Sequence, residues 1–372
     1  MSVKSSEIIQ AIEAIAPRRL AESWDNVGLQ IGSNKREVSK VLFTLDVTAE
    51  VVAEAIEIGA QMIVAHHPFI FNGLKGICTD ELKGRMVADL IKNDICLYVA
   101  HTNLDKAELG LSDYIGKRLG LEAMQPLSAS DAEKLYKIVV YVPVTHEELI
   151  VEVMGSCGAG FIGRYSHCTY RTCGKGTFMP LAGTHPFIGE QDELTTVEES
   201  RVETIVDGKI LKRLMQKLKQ AHPYEEMAYD LYPLENGELM NQNGLGKIGR
   251  LNTPVDGQAF IEHIKKTLDL EWIRATGNPP EKISKVALCT GSGAEFIGLA
   301  KVKKADVYIT GDLKYHDAQR AVESNLWVID AGHFGTEKLV VDLLASILED
   351  TLRNKGVTWV ASSVNRDFIR CY

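Results

Sequence analysis

The chain has 372 residues, which suggests two or three domains, and its 45% hydrophobic and 24% charged residues are typical of a globular protein. A net charge of −9 argues against broad nucleic-acid binding, because phosphate neutralisation needs a basic face. No apolar stretch approaches the roughly 18–20 residues of a membrane span, and the N-terminal segment lacks the apolar core of a signal peptide, so we expect a cytoplasmic protein without a membrane partner.

The first third of the chain alternates between helices and strands. It opens with a predicted amphipathic helix whose N-cap is Ser5 or Ser6. Its further predicted elements are strands over 40–47, 61–65 and 95–100 and helices over 49–59, 82–94 and 109–119. Such alternation favours a mostly parallel sheet with helices packed against it.

The middle of the chain follows a different pattern. Its predicted elements are a strand over 136–144, a helix over 145–155 capped by Thr145, strands over 164–181 and 198–206, a helix over 210–221 and a strand over 226–233. This order is the ferredoxin-like arrangement, an α+β fold. Gly-rich joints are predicted at 127–130 and 241–249. We therefore expect an inserted domain over 128–242, between a first half (1–127) and a second half (243–372) of one α/β domain.

The last third returns to the first pattern. Strands are predicted over 286–290, 306–310 and 326–330, and helices over 294–301, 315–324 and 336–355. Segments 44–46, 60–67 and 98–105 align with 290–292, 305–312 and 329–337, which indicates an internal repeat. The predicted fold class is α/β, with two pseudo-repeated halves that form one domain and place its chemistry where their strand ends meet.

Two adjacent histidines follow the second predicted strand, in the sequence V-A-H-H-P-F. Neighbouring side chains of a strand point to opposite faces, so His66 and His67 would not share a pocket within a regular strand. Pro68 ends regular pairing at this point, which allows both imidazoles to converge on one site.

Two further pairs of metal-binding residue types follow other strands. His101 and Asp105 come after the third strand, and His333 and Glu337 come after the matching strand of the last third. Residues four apart share one face of a helical turn, so each pair is a half-site for a divalent transition metal. With the histidine pair they make six candidate ligands, and a bridging carboxylate among them suits two metals about 3.5–4 Å apart.

Other residues give less specific predictions. Asp46 ends the first strand and could hydrogen-bond a ligand histidine, and His316 lies where a helix opens and could transfer a proton. These two and His101 are the candidates for catalytic roles. The loop 24–26 is either a turn with a packed indole or the mouth of a pocket. The segment 290–293 could cradle a phosphate at a helix N-terminus, although it lacks a full phosphate-loop pattern.

The remaining histidines and the cysteines are expected to be structural. The histidines of the middle segment have no carboxylate in a comparable half-site; they are His146, His167, His185 and His222. Seven cysteines without a C-x-x-C pair predict reduced, buried thiols in a cytosolic protein.

Taken together, these motifs resemble the Nif-three-like family of dinuclear-metal hexameric proteins, whose members are often labelled GTP cyclohydrolase 1 type 2 homologues. The resemblance rests on W-D-N-V-G-L-Q-I-G (24–32), T-L-D-V-T (44–48), A-H-H-P-F-I-F (65–71), A-H-T-N-L-D (100–105), G-D-L-K-Y-H-D-A (311–318) and D-A-G-H-F-G-T-E (330–337). The middle segment is similar to the PII- and CutA-like domain that longer bacterial members carry.

The resemblance implies a set of metal ligands and an assembly. The implied ligands are His66, His67, Asp105, His333 and a bridging Glu337. They would hold two divalent ions per subunit, with zinc expected and iron or manganese as alternatives. The implied assembly is a toroidal homohexamer whose metal sites face an internal cavity. His101 is either a sixth ligand or a partner that orients Asp105, and we expect His66 and His67 to bind different ions on either side of Glu337.

Two functions from different classes follow from such a site. Two ions with open positions can activate a water, so the first is a metal-dependent hydrolase of a nucleotide or another small polar substrate. The family label suggests opening of the imidazole ring of GTP, although no residue here specifies guanine. The second is a metal chaperone, a storage protein or a regulatory metal-binding hexamer without catalysis, in which the inserted domain could bind a small effector.

Overall fold

The computed structural model describes residues 2–129, 134–162, 165–235 and 242–370. The chain forms two compact units, one of Met1–Ser130 with Gln242–Tyr372 and one of Asp131–Asn241. Both units combine strands and helices, so the fold is of the mixed α/β type. Within the described ranges, no helix combines the length and the apolar character needed to cross a membrane.

The elements of the described residues are numbered in chain order. The strands β1 to β17 are Val3–Lys4, Gly28–Ile31, Glu37–Val38, Lys40–Thr44, Met62–Ala65, Cys96–Val99, Leu121–Ala129, Leu135–Pro143, Tyr170–Phe178, Thr195–Asp207, Tyr229–Leu234, Gly244–Val255, Arg274–Ala275, Ile283–Ser292, Val307–Gly311, Trp327–Asp330 and Thr358–Ala361. The helices α1 to α12 are Ser5–Ile15, Ala49–Glu57, Leu82–Lys92, Thr102–Lys106, Leu111–Arg118, Glu147–Ser156, Gly208–Ala221, Gly257–Leu268, Ile297–Val302, Tyr315–Glu323, His333–Glu337 and Val340–Leu352.

The first large sheet has the order β17-β4-β5-β6-β2, in which only β2 is antiparallel to its neighbour. All four residues of β5 are buried, as expected for a parallel strand covered on both faces. One face packs against α2 and α3, where Leu42 and Ile63 meet Val51 and Leu90. The other face packs against α1 and α12. The mostly parallel sheet predicted for the first third is therefore confirmed.

The second large sheet is mixed. Its order is β13-β16-β15-β14-β12-β7, with β14, β15 and β16 parallel and the other three strands antiparallel to their neighbours. Of the joints predicted at 127–130 and 241–249, Ser130 and Asn241 lie outside the described residues, and the boundaries between the two units fall beside these two residues. Most of the other residues lie in β7 and β12, where Gly244 pairs with Ala129. The glycines there also serve close packing. A Cβ on Gly246, which has a φ of +66°, would lie 2.6 Å from the carbonyl oxygen of Leu288.

The second unit has one antiparallel sheet. Its elements follow one another as β8, α6, β9, β10, α7 and β11, and the sheet order is β11-β8-β10-β9. Helix α7 is amphipathic and buries Leu214 and Leu218 against Ile150 and Met154 of α6. The unit thus has a hydrophobic core of its own.

Three helix predictions need correction. Lys4 is the N-cap of α1, while the Ser5 hydroxyl donates to the carbonyl of Ser33. Thr145 lies in a 3₁₀ turn, so His146 is the N-cap of α6. The single helix predicted over 336–355 is two helices, α11 and α12, and α11 begins earlier because Gly332, with a φ of +79°, turns the chain directly after β16.

Candidate metal centre

His66 and His67 lie side by side just beyond β5. Their amides continue the pairing with β4, donating to the carbonyls of Thr44 and Leu45. Their ring centroids are nevertheless only 5.3 Å apart, so both imidazoles reach the same site, as the sequence predicts. His66 is fully buried, whereas the His67 side chain retains 23% of its exposure.

His101 and Asp105 lie at the end of β6. His101 is the N-cap of α4, and the amide of Asp105 donates to its carbonyl, which places both residues on one helical turn. Asp105 faces His66, with 3.5 Å between Asp105 Oδ1 and His66 Nε2. The His101 ring lies 5.2 Å from the His66 ring and 5.6 Å from the His67 ring.

The other pair, His333 and Glu337, forms the two ends of α11. Oε2 of the buried Glu337 lies 2.9 Å from His333 Nε2 and 2.9 Å from His67 Nε2. The two imidazole nitrogens are 3.3 Å apart. The candidate ligands form two overlapping groups, His66 with His67 and His101, and His67 with His333 and Glu337, and in each group the ligand atoms lie within 4.8 Å of one another.

Each of the four histidines has its Nδ1 held by an acceptor. The acceptors are the Ala100 carbonyl for His66 at 2.7 Å, Asp46 for His67 at 2.8 Å, Asp25 for His101 at 3.0 Å and Asp312 for His333 at 2.7 Å. Donation from Nδ1–H orients each ring with its Nε2 towards the site, where the lone pair is available once Nε2 carries no proton. Carboxylate or carbonyl partners of this kind are the usual support of metal-binding histidines.

Two buried atoms of the site have no hydrogen-bond partner within the described structure, and they face each other. They are Nε2 of His66 and Oδ1 of Asp105. An unpaired buried polar atom costs about 1–3 kcal/mol, so two of them at one point call for a ligand. A divalent metal ion, which accepts both an imidazole nitrogen and a carboxylate oxygen, fits this donor set.

Protonation of this His66 side of the site is governed by burial. Burial lowers the pKa of His66 to about 3, which leaves its Nε2 unprotonated at neutral pH. Burial, assisted by the charge of Glu337, also raises the pKa of the Asp105 carboxyl to about 7. The carboxyl therefore ionises readily only when a positive charge is nearby.

On the Glu337 side of the site, hydrogen bonds outweigh burial in setting the pKa values. Burial alone would lower the pKa of His67, but its hydrogen bonds to Asp46 and Glu337 outweigh burial and raise this pKa to about 10. The hydrogen bond to Glu337 raises the pKa of His333 to about 9 against burial. Burial favours the neutral form of Glu337, yet its hydrogen bonds to His333 and His67 hold its pKa well below the usual range. A divalent ion would replace these protons, so binding is coupled to proton release.

Gly291 closes the site behind Glu337. Its φ is +63°, and a Cβ at this position would lie 2.1 Å from Oε1 of Glu337. The amides of Gly291 and Gly293 donate to Thr336 and Thr310. These amides are therefore already used, which argues against the phosphate cradle considered at 290–293.

A cavity of about 420 Å³ opens beside Asp105. Trp24 lines it, and its indole is 58% exposed. The loop 24–26 is thus the wall of a pocket rather than a turn with a packed indole. A larger cavity of about 630 Å³ lies between the segments 274–277 and 313–323, and none of the candidate ligands lines it.

Several predicted residues lie apart from this cluster. His316 is exposed on α10, where its Nδ1 lies 3.4 Å from Gln319, and it belongs to neither group of candidate ligands, so its role in proton transfer stays a prediction. In the second unit, His222 has backbone partners at both ring nitrogens, in keeping with a structural role. Cys78 and Cys173 are exposed, contrary to the expected burial of the thiols.

Sequence reasoning anticipated the role of Asp46 but missed those of Asp25 and Asp312. Asp25 also accepts from the amide and hydroxyl of Thr102, and these bonds with His101 outweigh burial and lower its pKa to about 2. Two signals were available in the sequence: Asp25 lies in the pocket-mouth loop, and Asp312 aligns with His67 in the internal repeat.

Comparisons with known proteins show which family and which structures the chain is similar to. A family model described as Duf34/NIF3 (NGG1p interacting factor 3) matches residues 3–367. Proteins named GTP cyclohydrolase 1 type 2 homolog are 42% identical in Halalkalibacterium halodurans, over 97% of this chain and 96% of theirs, and 41% identical in Bacillus subtilis, over 91% and 90%. A crystal structure of a Bacillus cereus protein related to NIF3 covers 100% of this chain and 99% of its own, with a TM-score of 0.78 and 41% identity.

Proposed function

The chain belongs to the Duf34/NIF3 family, and from this premise we propose that its centre holds two divalent metal ions and hydrolyses a small polar substrate. The observation that carries the proposal is the convergence of four Nε2 atoms and two carboxylates, with every Nδ1 already held. The unpaired atoms of His66 and Asp105 support an ion at that end.

The donor set divides naturally between two ions. His66 and Asp105, with His101 beside them, would hold the first, and His67 and His333 would hold the second. Glu337, which already contacts two histidines, is placed to bridge. This division supports the prediction that His66 and His67 serve different ions. Nitrogen and oxygen donors of this kind suit zinc, with iron or manganese as alternatives.

Metal ions at this place would supply Lewis acidity and a water activated near neutral pH. The protein itself would orient the ligands through Asp25, Asp46 and Asp312, and it would offer the cavity beside Asp105 to the substrate. The name shared by the relatives points to GTP as one substrate to be tested.

The alternative, delivery or storage of metal without catalysis, is less well supported. His66 is fully buried, and Glu337 is buried and in contact with His67 and His333. Release of an ion held by such groups requires local opening of α4 or α11. This burial is therefore more consistent with an ion that stays bound than with an ion that is held for delivery.

Elemental analysis with a turnover screen tests the proposal. We expect about two ions per chain in the wild type, with loss of both metal and turnover in a His333→Ala/Glu337→Ala variant. His185→Ala removes an exposed histidine of the second unit and is the matched control. Wild-type protein that turns over none of GTP, other nucleotides or nucleosides, yet passes its metal to an acceptor, would favour the delivery function.

The finer architecture is also part of this proposal. We propose that the two large sheets derive from a repeated unit, since each contains three successive parallel strands with site residues at their carboxyl ends. The order of elements in the second unit supports a ferredoxin-like insert. The proposed assembly is a homohexamer, for which light scattering on the purified chain is the direct measurement.

A further inference from the structure

The cavity beside Asp105 restricts the substrate of the proposed hydrolase. We propose that it binds an uncharged or cationic planar heterocycle with hydroxyl or amide groups, at nucleobase or nucleoside size, and that it discriminates against the phosphorylated forms. This inference rests on the proposed function and names the substrate class of the same site. With about 420 Å³, the cavity is near the lower end of typical ligand pockets.

The charge of the cavity wall is the main support for this proposal. Three carboxylates line the cavity, those of Glu22, Asp105 and Glu295, and the described residues that line it include neither lysine nor arginine. The Lys106 ammonium pairs with Glu22 at 2.6 Å, so these two charges offset each other, and Asp105 is a candidate metal ligand. Sites for nucleotide phosphates ordinarily supply lysine, arginine or free backbone amides. Away from the metal ions, the wall offers a phosphate group the carboxylate of Glu295 and no unpaired cation among its described residues.

The backbone does not compensate for the missing cations. The amides of Gly291 and Gly293, which adjoin the cavity, donate to threonine hydroxyls of the protein. The 3₁₀ turn Ala294–Phe296 runs directly into the short helix α9, and Glu295 already places a carboxylate at the N-terminus of this combined segment. Metal ions could take one phosphate oxygen group, but the rest of a triphosphate would meet Glu295 rather than a cation.

Aromatic faces and hydroxyls suit a planar polar molecule. Trp24 is 58% exposed and contacts a tilted Phe71 ring and, edge-on, the His101 ring, with centroids at 5.8 and 6.2 Å, and Phe296 is also part of the wall. An exposed indole fixed by other rings is a stacking platform for a heterocycle. Hydroxyls are distributed over the wall and can meet the polar edges of such a molecule; they belong to Thr102, Ser112, Ser128, Thr290 and Ser292.

Calorimetric titration of the metal-loaded full chain tests the proposal. The probes are guanosine, adenosine and cytidine, each compared with its monophosphate and triphosphate. We expect affinity to fall on the order of tenfold from nucleoside to triphosphate because of the like charges. Glu295→Gln should reduce this discrimination, while Glu271→Gln, the same change at an exposed site outside the cavity, should leave it unchanged.

The outcomes separate this inference from the proposed function. Tighter binding of the triphosphates than of the nucleosides, or no binding of any uncharged probe at millimolar concentration, overturns the inference. Metal content is measured before and after each titration, so removal of metal by a chelating triphosphate is distinguished from binding. A wild-type chain that holds no metal contradicts the proposed function itself.

Discussion

Replacement of Gly291 by alanine tests the role of Glu337 most directly. Gly291 has a φ of +63°, and a Cβ there would lie 2.1 Å from Oε1 of Glu337 and 3.5 Å from Cε1 of His333. A separation under 3.0 Å is not tolerated, so the carboxylate must move by about 1 Å or the loop must shift. Either movement breaks the 2.9 Å contacts of Glu337 with His67 and His333.

The Gly291→Ala replacement is expected to lower both the stability of the fold and the metal affinity. The left-handed conformation costs an L-residue about 1–2 kcal/mol of stability. Displacement of a ligand should cost at least as much as the loss of an outer partner, about 10–100-fold in metal affinity. The corresponding loss of binding free energy is about 1.4–2.8 kcal/mol.

Gly59 provides a matched control. Its φ is +65°, but a Cβ there would have no heavy atom within 4 Å. Gly59→Ala should therefore show the stability loss in urea without any loss of metal affinity, measured by competition with a chromogenic chelator. Equal metal affinities for the two variants would refute the argument that Glu337 must occupy its observed position.

Three further predictions concern other parts of the chain. Asp25→Asn should weaken metal binding about 10–100-fold in the same competition assay, since it alters the partner of His101. In metal-free protein, the lowered pKa of Asp25 stabilises the fold above about pH 4, and this stabilisation is lost as the pH falls towards 2. The free energy of unfolding of the variant should therefore decline less steeply between pH 4 and pH 2 than that of the wild type. Asp330→Asn removes a buried carboxylate oxygen that accepts from the Leu313 amide, while its ionic partner Arg274 is largely exposed, so urea unfolding should show a loss of about 1–3 kcal/mol. Leu218→Ala should destabilise the second unit by about 2–5 kcal/mol, while elemental analysis should find the metal content unchanged.

The parallel strands and the half-sites could be predicted because they depend on local patterns. Runs of buried apolar residues such as Met62–Ala65 identify strands, and residues that follow parallel strands meet at one edge of the sheet. The spacing of four residues placed His333 and Glu337 on one turn, and the structure shows that turn as α11.

The partners of the histidines could not all be predicted, since they depend on tertiary packing. Asp25 reaches His101 across 76 positions of the chain, and no local pattern connects them. Asp312 reaches His333 from the end of a neighbouring strand. Aspartates at the starts of loops commonly cap helices or turns, so the presence of an aspartate there does not by itself indicate a metal site.

The glycines of β12 show another limit of local patterns. Gly246 has a φ of +66°, which is unusual within a strand, and the register with β7 shifts between Ile248 and Arg250. Glycine marks close backbone approach in a strand as well as turns and joints between elements. Only the pairing partner, which lies over a hundred residues away, distinguishes the two cases.

The contact of His67 with Glu337 spans 270 positions of the chain, and this distance has a consequence for synthesis. The ribosome releases His66, His67 and Asp105 long before it releases Glu337. A nascent chain therefore contains half of the proposed metal site while the second unit is being made, and the first large sheet still lacks β17. The proposed site would be complete only after Glu337 has been made, and until then His66, His67 and Asp105 would be accessible to any divalent ion.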